Sequence, residues 1–177
     1  MDTSLLAGWE NFYVIIGTSA GGLTGLTFVV IALVKDKTSS AIRPTGISVF
    51  VTPTIVHFGG VLAFAAFMNL PHPSVLALSV VFVLAGVAGA VYSALIGAHM
   101  PGQGSVYVSV REDWIWNVII PGTIYAALAL AGFLIWRWRT EALYGVAALT
   151  LALLFVGIRN AWDIAVWMTL HPPDGTG

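Results

Sequence analysis

The chain has 177 residues, 58% of them hydrophobic and 8% charged, with a formal net charge of −1. An ordinary soluble domain is about 25% charged, so too little polar surface remains to cover a water-soluble globule, and the scattered basic residues give no electrostatic footing for nucleic acid. The absence of cysteine excludes disulfides, thiolate catalysis and cysteine metal sites.

The N-terminus, MDTSLLAGWENFY, has no positive n-region and no cleavage signal, so the first apolar run is expected to persist as a membrane helix. Mean hydropathy is +0.92. Runs near the roughly 20 apolar residues that cross a bilayer recur along the chain. The expected fold class is all-α: a polytopic transmembrane helix bundle of five spans, forming one membrane domain over residues 1–177.

Span one covers about 11–34 and contains GTSAGGLTGLTF. Gly17, Gly21 and Gly25 share a face with Ala32, with Thr18 and Thr24 beside it. Glycine weakens a helix, but in lipid a small-xxx-small face lets backbones approach and gain dispersion energy. These glycines are therefore expected to dock span one on another helix, within the chain or in a second copy, with hydrogen bonds from Thr18 and Thr24. The polar, basic loop KDKTSSAIRP follows.

Span two covers about 47–69 and holds His57 in TPTIVHFGG. Pro53, one turn earlier, can free a carbonyl or bend the helix. A membrane histidine can carry protons or ligate haem, or it can be a hydrogen-bonded structural residue. For haem the one partner near the bundle is His99, which sits shallower; no cofactor or metal is expected. NLPHP is a turn, since two prolines cannot continue a helix.

Span three, about 74–98, repeats the small-residue device with Ala85, Gly89, Ser93 and Gly97. Spans one and three are expected to form the closely packed centre. The segment 99–113 opens with turn residues, then alternates from Val106 to Val110 as a short extended piece or ordered loop. Ser109 and Glu112 have capping-box spacing. Span four, about 113–136, carries Pro121–Gly122 near its start, where a kink is expected.

Span five covers about 142–170, long enough to tilt or run on along the interface. Arg159 and Asp163 lie four residues apart in GIRNAWDIAVW, with Asn160 adjacent. Their face continues through Ala152, Ala148 and Gly145, which suggests that it looks into protein. An Arg–Asp pair inside a bundle is costly and is either functional or specifies assembly; at the interface the same arginine would snorkel to the headgroups. Residues 171–177 read as a frayed tail.

Lys35, Lys37, Arg43 and Arg111 fall on one side of the expected membrane, Arg137 and Arg139 on the other. The positive-inside rule then places the N-terminus outside and the C-terminus inside. Tryptophans cluster near span ends as an aromatic belt. No nucleophile elbow, HExxH, Walker loop or pair of intramembrane aspartates occurs, so no enzyme is expected.

WENFYVIIGTSAGGLTGLTFVV, FVTPTIVHFGGVL, REDWIWNVIIP and FVGIRNAWD together resemble a family of small bacterial integral membrane proteins with no assigned activity. The resemblance implies a bacterial inner membrane and carries over no functional residue. The functional expectation is a homo-oligomeric channel or transporter for ions or small solutes, with His57, Arg159, Asn160 and Asp163 as its membrane-depth polar groups. The alternatives are a non-catalytic accessory or assembly subunit docking a membrane partner, and a haem-binding membrane protein.

Overall fold

The structure is a computed structural model. It describes Leu6, residues 8–37, 45–100 and 111–170, with side-chain surroundings over residues 8–32, 52–100 and 111–166. Residues 106–110, the Ser109 half of the expected capping box, most of the basic loop and the 171–177 tail lie outside the described residues. Every described element is helical. Helix α1 is Glu10–Lys37, α2 Thr45–Met68 and α3 Val75–Ala98. Helix α4 runs over Arg111–Leu134 with a π-helical turn at Ile115–Ile119, and α5 is Arg139–Leu170.

Four of these helices are long and apolar enough to cross a membrane. In α2 the described apolar stretch is Thr52–Met68. Low-dielectric surroundings favour helices because every backbone group is then paired within its own segment. The ends match the chemistry of their residues. Ser74 caps α3, accepting the Ala77 N–H at 3.1 Å. At the start of α1 the Glu10 carboxylate accepts the Gly8 N–H at 2.8 Å, where Gly8 takes φ +88°, a left-handed conformation open to glycine. The α2–α3 turn contains His72 at φ 51°, between Pro71 and Pro73.

Helix α1 packs on α2, α2 on α5, α5 on α4 and α4 on α3, with α1 also touching the flank of α5. The centre is therefore α5 between α2 and α4, not α1 with α3. Half of the α5 span is buried, against 17% for α1 and 22% for α3. Small residues permit close approach, but the partner is chosen by what the other helix presents. At Gly17 that is Ala65 of α2, which a Cβ on Gly17 would approach to 2.8 Å. Along α3, a Cβ at Gly86 would run into the Ala129 backbone of α4, and one at Gly89 into the Tyr125 ring. Gly132 of α4 reciprocates against Phe82, and Gly157 of α5 makes room for the Phe58 ring of α2. Phe82 also meets Phe64 at 5.6 Å between ring centroids, so α3 reaches α2 through a side chain.

Candidate functional site

His57 lies halfway along α2 and is fully buried. Pro53 and Thr54, the preceding turn, are buried with it. Its Nδ1 is 3.1 Å from the hydroxyl of Tyr125 on α4, and the two rings are 5.8 Å apart. Tyr125 reaches that position because its ring lies flush on Gly89 of α3. One glycine on α3 thus seats a tyrosine of α4 that holds a histidine of α2.

Nε2 of His57 is buried with no hydrogen-bond partner among the described residues. If Tyr125 donates to Nδ1, Nε2 carries the proton and is an unused donor. If Nδ1 donates to Tyr125, Nε2 is an unused acceptor. Either tautomer leaves one open hydrogen-bonding position in the middle of the bundle.

A second polar contact joins α4 and α5. Asn160 donates from Nδ2 to Oδ1 of Asn117 at 3.3 Å, and Asn117 donates to the Asp113 carbonyl at 3.1 Å. Both asparagines are buried. Asn117 sits in the π-helical turn, which the Ile120 N–H closes onto the Ile115 carbonyl. Pro121 follows directly and has no N–H to give the Asn117 carbonyl. Where a kink is expected at Pro121–Gly122, the helix carries this π turn directly before the proline, a form of irregularity frequent at functional sites.

Arg159 and Asp163 form an ion pair, and the Arg159 guanidinium lies 5.0 Å above the Trp116 ring. Their side chains are 33% and 53% exposed. The face through Gly145, Ala148, Ala152, Arg159 and Asp163 is therefore the margin of the bundle. The packed face is rotated by one residue, through Val146, Thr150, Leu153, Gly157 and Asn160. Small residues are compatible with both faces; the Phe58–Gly157 contact and the Asn117–Asn160 bond select the second. Of the four polar positions expected from the sequence, His57 and Asn160 are inside, Arg159 is at the edge and Asp163 is outside.

The helix-packing set divides similarly. Gly17, Gly89 and Gly97 meet other helices, Gly97 against Val118 and Trp114; Gly21 only grazes Leu62 at 3.9 Å; Gly25 has no neighbour within 4 Å. Ser93 donates to the Gly89 carbonyl of its own helix. Thr18 and Thr24 likewise donate to Val14 and Ala20 one turn back, not across to another helix. His99 ends α3 with Nδ1 at 2.8 Å from the Leu95 carbonyl, far from the mid-helix depth of His57. Among the described residues no three His, Cys, Asp or Glu side chains gather as a metal site.

Tyr125 and Asn117 were not singled out by sequence reasoning, yet each carries a signal. A tyrosine deep in a span is out of place for an aromatic belt, and an asparagine four residues before a membrane proline is the residue whose own carbonyl the proline cannot pair.

Fold and site together define a class: an α-helical membrane-protein bundle whose apolar core holds two buried polar contacts, His57–Tyr125 between α2 and α4 and Asn117–Asn160 between α4 and α5. Comparison with protein-family models, curated proteins and solved structures finds no match.

Proposed function

We propose that the chain is a five-span protein of the bacterial inner membrane that moves a proton, ion or small polar solute as a homo-oligomer. The observation that carries this reading is His57 of α2, buried against Tyr125 of α4 with one ring nitrogen open. Ionisable groups inside membrane bundles are expensive and mark ion and proton pathways. Asn117 and Asn160 form a second, separate buried polar contact nearer the end of the bundle where Arg159 and Asp163 lie. On the charge distribution, that end faces the cytoplasm and the N-terminus faces out.

The oligomer is supported by α1 beyond Gly17. There a Cβ on Gly22 or Gly25 would meet no atom of another helix within 4 Å among the described residues, and Leu26, Phe28 and Val29 are exposed. The same surface suits the second reading, an accessory subunit without catalytic residues that binds a different membrane protein.

The test is flux in liposomes reading internal pH and ion content, for the wild type and His57→Asn. Flux through the wild type that falls at least tenfold in the variant supports the reading. Equal flux removes His57 from any pathway, and no flux above empty vesicles favours the accessory subunit. Because the native chain has no cysteine, a single cysteine at Leu26 reports self-association directly. Disulfide-linked dimers in native membranes support the oligomer, and their absence removes α1 as its interface.

A further inference from the structure

Helices α4 and α5 leave between them a groove of 270 Å³ open to the surroundings. Its walls include Ala127, Ala131, Leu134 and Gly145, small or aliphatic side chains that leave a channel where larger ones would close it. Along α5 the wall runs from Glu141 to Leu149, ~12 Å at helical rise. One leaflet of a bilayer core is about 15 Å deep, so the groove is long enough to seat most of one acyl chain entering from the α4–α5 turn.

The mouth is polar in a defined way. Glu141 and Trp138 line it. Arg137 stands over the Trp138 ring at 5.9 Å. Neither Arg137 nor Glu141 has an ion-pair partner among the described residues, and both are exposed. A cation and an anion therefore flank the open end of an acyl-sized groove, both free to bind a ligand that carries the opposite pair.

We propose that this groove seats one phospholipid with an ammonium headgroup. An acyl chain fills the channel, the phosphate accepts hydrogen bonds from Arg137, and the ammonium donates to Glu141 beside the face of Trp138. A guanidinium suits phosphate oxygens, and an aromatic face beside a carboxylate suits an ammonium. A purely anionic headgroup would leave Glu141 opposing it.

The experiment is native mass spectrometry of the full chain, released from gentle detergent with equal amounts of phosphatidylethanolamine and phosphatidylglycerol. One retained phosphatidylethanolamine, in preference to phosphatidylglycerol, is expected. Glu141→Gln should abolish the preference while keeping a bound lipid. Arg137→Gln should lower retention of both lipids roughly five- to tenfold, the scale of an exposed charge contact of about 1 kcal/mol or slightly more. Gly145→Leu, which fills the channel, should remove the bound lipid whatever its headgroup. Because Arg137 and Glu141 are surface residues, their variants keep the test independent of whether Gly145→Leu folds. A preference for phosphatidylglycerol, or retention unchanged in all three variants, overturns the proposal.

Discussion

Nδ1 of His57 and the hydroxyl of Tyr125 lie 3.1 Å apart in the buried centre of the bundle, although 68 residues separate them. The contact ties α2 to α4, whose backbones are spaced by side chains rather than touching. Tyr125→Phe keeps the ring on Gly89 and deletes only the hydroxyl. It leaves Nδ1 buried and unpaired, which costs about 1–3 kcal/mol. Equilibrium unfolding in mixed detergent micelles should show that loss. His57→Leu should then cost less in the Tyr125→Phe background than in the wild type, a coupling of at least about 0.5 kcal/mol. Strict additivity would mean that the two groups do not interact.

The glycines divide into those under contact and those in open space. At Gly86 a methyl group would run into the Ala129 backbone, so Gly86→Ala should destabilise by about 1–3 kcal/mol, as overpacking does. At Gly25 nothing lies within 4 Å, so Gly25→Ala should be neutral or stabilising by up to about 1 kcal/mol in a detergent-solubilised monomer. Thermal unfolding of the two variants side by side checks this. Equal damage at both positions would show that the α1 face is already packed against something.

Asn160 and its neighbours should rank by burial. Asn160→Ala removes the bond to Asn117 inside the bundle and should cost about 0.6–2 kcal/mol. Arg159→Gln and Asp163→Asn disrupt a pair that is 33% and 53% exposed, and each should cost less than about 1 kcal/mol. Unfolding midpoints of the three variants decide the order. If Arg159→Gln proves the most damaging, the interior face of α5 is the one through Arg159.

Thr18 and Thr24 bond to carbonyls of their own helix at 2.7 and 2.8 Å. Replacing either with valine should leave stability within about 0.5 kcal/mol, the usual range for substitutions away from packing and capping features. A larger loss, measured by the same unfolding assay, would reveal an interhelical partner for the hydroxyl.

The helices were legible because lipid-like surroundings make length and apolarity nearly sufficient. The stretches expected as spans at 74–98 and 47–69 are helical, as α3 at Val75–Ala98 and α2 at Thr45–Met68, bounded by the proline turn and by Ser74. His57 and Asn160 were legible as polar residues inside apolar runs. Their partners were less so. A tyrosine or asparagine within a span does not state which helix it will face, and 68 residues separate His57 from Tyr125.

What the sequence alone determined was the set of helices, their apolar character and the places where glycine permits close approach. All three depend on local composition: twenty apolar residues form a helix in a membrane whatever their neighbours are. What only the tertiary structure decided was the pairing. Gly89 accepts Tyr125 and Gly157 accepts Phe58, whereas Gly25 accepts nothing. Dispersion contacts reward complementary shape between two surfaces, and one helix read by itself carries only half of that shape. The same reason rotated the interior face of α5 by one residue, placing Asn160 inside and leaving Arg159 at the edge.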